Sequence, residues 1–188
     1  MKTVFLRYES PRLSLRARSL ALIFALVAAV ALPQICHVAG DALGVSNGIG
    51  ELLLPMHLPV LLVGLLAGPA VGAVVGFFAP VLSFLLSGMP VAAALPFMCI
   101  ELTTYGLCAG LLGRARLPLP LRVLIAQVAG RVVRMLAILM ASGAGKTALS
   151  AGSVWSALSK GWVGILLQLV LIPAFLMMVE RLSTHAEK

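Results

Sequence analysis

Residues 51–110 read ELLLPMHLPVLLVGLLAGPAVGAVVGFFAPVLSFLLSGMPVAAALPFMCIELTTYGLCAG, and their reading decides the fold. The stretch is apolar almost throughout, yet it is interrupted by Pro55, Pro59, Pro69, Pro80, Pro90 and Pro96, and glycine recurs every fourth residue at Gly64, Gly68, Gly72 and Gly76. The ionisable groups inside its apolar runs are His57 and Glu101. A water-soluble core does not require sixty residues of this kind. A membrane bundle that holds something polar between broken helices does, because non-helical backbone at membrane depth is tolerated where it lines a cavity or is buried in protein. Ionisable groups at that depth cost about 3 kcal/mol each on insertion scales and mark function by default.

Working outward, the whole chain has the same character. Of its 188 residues, 61% are apolar and 11% charged, against the ~25% charged residues of soluble domains. Several runs reach the ~18 apolar residues that read as a transmembrane helix. The expected fold is all-α: a polytopic membrane protein, a six-transmembrane-helix bundle with a short broken helix 2. Residues 1–16 form a basic arm, 17–182 the membrane domain and 183–188 a polar tail. The formal net charge of +8 does not point to nucleic acid, because the cations are segregated. Lys2, Arg7, Arg12, Arg16 and Arg18 crowd the first turns, and Arg114, Arg116 and Arg122 share one later loop. With Arg181 and Lys188 they put both termini on the cytoplasmic side by the positive-inside pattern, leaving Lys146 and Lys160 outside. Cys36, Cys99 and Cys108 have no metal-ligand spacing and suggest no disulfide.

In order along the chain, helix 1 is expected over Ala17–Cys36, too long for the apolar segment of a signal peptide. Alanine at 17, 21, 25 and 29 forms one small-residue stripe suited to close approach of another helix. Residues 37–50 read as an outer loop with turn chemistry at Asp41, Ser46 and Asn47. Pro55 and Pro59 cannot both lie in a regular helix interior, so an irregular re-entry presents Met56 and His57 before a short helix 2 over 58–68. Helices 3 to 6 follow over 69–87, 91–113, 121–142 and 154–180, with Gly72 and Gly76 as a close-packing pair and Trp155 and Trp162 as outer interface anchors. Gly145-Lys146-Thr147 resembles the end of a phosphate loop, but position 140 is Met and no strand precedes it, so nucleotide binding is not expected.

The charges inside the membrane carry the functional reading. Glu101 on helix 4 lies roughly 15 Å from the outer end by helical rise, the same layer as Arg131 and Arg134 on helix 5. The two arginines are three apart and share a face. One interpretation is a structural ion pair locking helix 4 to helix 5, which leaves the second arginine without a protein partner. The other places that arginine in a cavity, where its fork of donors suits an anionic or carbonyl-rich ligand. His57, Met56, Met89, Met98 and Tyr105 complete an apolar pocket with a few polar points. No motif supports a metal site at His57, Glu101 and the methionines, and no catalytic set of an intramembrane protease or other enzyme is present. No cofactor is expected.

Several segments together resemble the substrate-binding S components of energy-coupling factor (ECF) transporters, in the vitamin and vitamin-precursor branch. They are Pro55-Met-His-Leu-Pro-Val-Leu-Leu-Val-Gly-Leu-Leu-Ala-Gly-Pro, Gly76-Phe-Phe-Ala-Pro-Val-Leu-Ser, Ser87-Gly-Met-Pro, Phe97-Met-Cys-Ile-Glu-Leu-Thr-Thr-Tyr-Gly-Leu-Cys-Ala-Gly-Leu-Leu and Ala129-Gly-Arg-Val-Val. The resemblance spans about 15–182 and implies a capture subunit of the plasma or inner membrane that takes a micronutrient from outside. It also implies delivery by toppling in the lipid bilayer against a transmembrane coupling protein and two ATPase subunits. By that resemblance Ala21, Ala25 and Ala29 match a docking motif for the coupling protein, and His57, Met89, Glu101, Tyr105, Arg131 and Arg134 are positional candidates for substrate binding. The alternatives are a small-solute or metal-ion transporter working alone, or a ligand-free structural subunit.

Overall fold

In the computed structural model every element among the described residues is an α-helix. The structure describes residues 13–44, 48–150 and 152–186, with side chains at all of these except 158 and 180–186. The expected arm cations Lys2, Arg7 and Arg12, the turn residues Ser46 and Asn47, and Lys188 lie outside them. The helices are α1 (Leu15–Ala42), α2 (Gly48–Leu53), α3 (His57–Ala67), α4 (Pro69–Ser87), α5 (Leu95–Leu112), α6 (Leu119–Gly143), α7 (Gly152–Lys160) and α8 (Trp162–Ala186). Taking α2 with α3 as one interrupted segment, six spans are long and apolar enough to cross a membrane. Large apolar side chains such as Phe24, Leu85, Leu111, Met140 and Val170 stand more than half exposed, as a lipid-facing surface requires.

Several boundaries differ from the sequence reading, and three of them reshape the chain most. Helix α1 does not stop at Cys36 but runs through the buried Pro33 to Ala42. Membrane helices tolerate an internal proline because neighbouring groups re-satisfy the freed backbone. The re-entry segment contains a turn and a half of helix, α2, before the break at Leu54, which adopts φ 49°. The last span is divided at Gly161, where the chain passes so close to Leu54 that a Cβ would strike its side chain and the Ala157 carbonyl.

The framework is a seam of close helix contacts. Helix α4 packs most extensively on α5, because glycines let the backbones meet. A Cβ at Gly72 would land on the Gly106 carbonyl, one at Gly106 on the Gly72 carbonyl, and one at Gly76 on the Leu102 carbonyl. Gly110 seats against Pro69 in the same way, and Gly64 of α3 against Gly106. Small residues at such crossings let helices associate by van der Waals contact where apolar side chains gain nothing by leaving lipid. Gly130 of α6 faces the ring of Tyr105 and the Glu101 carbonyl, which brings the arginines that follow it onto α5.

Polar side chains tie the irregular places. Gln127 Nε2 donates to Gln168 Oε1 at 2.7 Å, and Gln168 Nε2 donates to the Leu54 carbonyl at 3.2 Å, bridging α6, α8 and the α2–α3 break. Gln34 of α1 donates to Ser87 Oγ at 2.9 Å. Arg122 belongs to α6 rather than to a solvated loop: it is buried, and donates to the carbonyls of Leu117 and Gly113, both at 2.8 Å, holding the α5–α6 turn.

Candidate functional site

The ion-pair layer forms because Gly130 lets α6 lie against α5. Helix α5 begins at Leu95, not 91, so Glu101 is only six residues in, roughly 9 Å by helical rise. Its carboxylate is fully buried. Arg134 Nη1 donates to Oε2 at 2.6 Å, the Tyr105 hydroxyl donates to Oε1 at 2.8 Å, and Arg131 Nη1 stands 3.9 Å from Oε1. The His57 ring is tilted against Tyr105 with centroids 5.3 Å apart. One carboxylate therefore serves two guanidiniums and a phenol, and it binds Arg134 closely and Arg131 at the edge of ion-pair range.

Above this layer is a partly open cavity of about 190 Å³. Arg131 and Arg134 form its charged wall, His57 and His37 its imidazoles, and Met56, Met89 and Met98 much of its apolar lining. It lies toward the end of the bundle where α1, α4 and α6 finish and α5 and α8 begin, away from Arg18 and Arg114. Glu51 and Ala157 border it from α2 and α7, and Lys160 Nζ meets Glu51 Oε2 at 2.9 Å, with both side chains more than half exposed. Among the described residues, four buried nitrogens around the cavity have no hydrogen-bond partner: His37 Nδ1, His57 Nδ1, Arg131 Nε and Arg134 Nε. Buried polar groups are nearly always satisfied, so such atoms mark places where a ligand or water completes the set.

Of the residues expected from the sequence, His57, Met89, Arg131 and Arg134 line this cavity. Glu101 and Tyr105 do not: they lie behind the arginines and orient them. Of the two arginines, Arg134 takes the Glu101 carboxylate at 2.6 Å and Arg131, 3.9 Å from it, is left to the cavity, which Arg134 also lines. The cavity also contains His37, Pro33, Ser83 and Glu51, which sequence reasoning missed. Pro33 and His37 are four apart on one face of α1, and ending helix 1 at Cys36 hid them. Pro33 itself reads as a helix stop, so no local signal pointed to the continuation.

The alanine stripe is divided between the interior and the surface. Ala29 is completely buried and offers a partner no surface, which corrects its assignment to docking. Ala21 and Ala25 are half-buried and border an apolar groove of about 280 Å³ between α1, α3 and Phe175 of α8. Among the described residues no cluster of three or more histidine, cysteine or acidic side chains is placed to hold a metal ion.

Comparison with family models, curated proteins and solved structures returns no match to this chain, so the functional reading rests on the geometry of the site.

Proposed function

We propose that this chain is the substrate-capture subunit of an ECF-type importer, taking a vitamin or similar micronutrient from outside the cell and passing it to a coupling protein driven by two ATPase subunits. The observation that carries the reading is the cavity of about 190 Å³ walled by Arg131 and Arg134 in an otherwise apolar bundle. A purely structural subunit has no need to hold two guanidiniums beside an open space, since desolvating them is unfavourable. The segregated cations support the orientation: with Arg16, Arg18, Arg114 and Arg116 cytoplasmic, the cavity faces outward. The groove bordered by Ala21 and Ala25 is the surface we assign to the coupling protein.

The test is mass spectrometry of the purified protein, with binding measured across candidate micronutrients. Capture predicts a bound or bindable small organic molecule at nanomolar to micromolar affinity. A protein that carries and binds none is a structural subunit, and uptake by proteoliposomes containing this chain alone favours a solitary transporter.

A further inference from the structure

Resting on the capture reading, we infer that the ligand is a small organic monoanion whose carboxylate is held by Arg131, with Arg134 beside it. The charges around the cavity set the sign. Leaving the histidine rings out of the count, Arg131 and Arg134 face one carboxylate, Glu101, and Glu51 is matched by Lys160. One positive charge is left over in a buried layer.

Hydrogen bonding locates that surplus. Both oxygens of Glu101 are already engaged, one by Arg134 and one by Tyr105. Arg131 stands 3.9 Å away, with its Nε unpartnered and its side chain only 11% exposed. A guanidinium carries five donors in a rigid fork that fits a carboxylate with two parallel bonds. Arg131 lines the cavity, so a carboxylate bound there completes its bonding and cancels the surplus charge. His57 supplies an independent sign of a polar ligand: it is 6% exposed, lines the same cavity, and its Nδ1 has no partner.

Other ligand classes fit worse. A cation would be pressed against two guanidiniums without a free carboxylate to receive it. A dianion would bring a second charge that the layer does not match, and a buried unpaired charge is costly. A neutral amide leaves the arginine surplus in place. The remaining lining of Met56, Met89, Met98, Leu54 and Pro55 suits a compact apolar or aromatic body. At about 190 Å³ the space is smaller than the ~300–1,000 Å³ of drug-sized pockets.

The experiment uses the full chain in lipid nanodiscs and two bodies with exchanged heads: hexanoate, hexanamide, hexylamine and adipate, then benzoate, benzamide and benzylamine. Dissociation constants are measured for each, alongside native mass spectrometry of the protein as purified. The expected result is that each monocarboxylate binds at least about tenfold tighter than its amide, the amine and the dianion, as a charge-assisted pair implies. Arg131→Gln should erase the preference for carboxylate over amide, and Arg131→Lys should restore part of it. An amine or amide that binds as tightly as the carboxylate overturns the monoanion assignment and leaves capture standing, as does a carboxylate preference unchanged in Arg131→Gln. If no probe binds and no small molecule accompanies the purified protein, capture itself fails and the assignment falls with it.

Discussion

Arg134 on α6 and Glu101 on α5 meet at 2.6 Å with the carboxylate fully buried. The pair fixes two helices and aims the guanidinium wall of the cavity. Breaking a buried pair by removing one member costs roughly 3–5 kcal/mol, because the other charge is left uncompensated. Glu101→Gln should therefore lower the thermal midpoint of the detergent-solubilised protein strongly. Glu101→Gln with Arg134→Gln should be less destabilised than the sum of the two single changes. Additive losses would show that the contact does not couple the helices.

The glycine seam gives a second expectation. At Gly106 an added methyl would meet the Gly72 carbonyl, and backbone cannot rotate aside as a side chain can. Gly106→Ala should cost about 3 kcal/mol through overpacking and reduce recovery of folded protein. Gly143→Ala is the control, since nothing lies within 4 Å of the added carbon there. Equal yields and midpoints for the two variants would refute the seam.

The Glu51–Lys160 pair joins α2 to α7 at the mouth of the cavity. Because both side chains are more than half exposed, the pair adds little to stability. Lys160→Ala should leave the thermal midpoint nearly unchanged and speed release of bound ligand, with the difference from wild type shrinking as salt screens the pair. Stopped-flow release rates at two ionic strengths decide this. An unchanged release rate removes the pair from gating.

Two alanines of α1 should separate folding from docking. Ala29 is buried, and Ala29→Leu should cost roughly 1–3 kcal/mol by overpacking. Ala25 borders the apolar groove, and Ala25→Leu should spoil uptake in cells while leaving ligand affinity near wild type. Normal uptake with Ala25→Leu would show that the groove is not the docking surface.

The spans were legible because periodic apolar runs and prolines report local chain preference directly. Helix α4, Pro69–Ser87, matches the expected bounds because Gly68 and Gly88, both at positive φ, terminate the neighbouring segments where few other residues can. Spacing also placed Arg131 and Arg134 on one face, opposite Glu101. The depth of Glu101, the reach of α1 to His37 and the division of the last span at Gly161 were not legible. The first follows from the turn that delays the start of α5 to Leu95 and the second from a helix that continues through Pro33, whereas the third depends on packing between segments distant in sequence. Gly161 breaks the helix where it passes Leu54, a residue more than a hundred positions away. Glu101 and Tyr105 were identified as polar points of the right layer, but spacing along one helix does not tell which side chains reach a cavity and which stand behind them.

The seam between α4 and α5 also bears on how such a chain diverges. Its contacts, Gly72 with Gly106, Gly76 with Leu102 and Gly110 with Pro69, are made by main-chain atoms. They are indifferent to what the neighbouring side chains become. Met56, His57, Met89 and Arg131, which meet the cavity, lie outside those contacts. Cavity residues can thus be exchanged one at a time, and the shape and charge of the cavity changed, on an unaltered frame. The seam glycines carry no such freedom: their loss would be selected against whatever the cavity comes to hold.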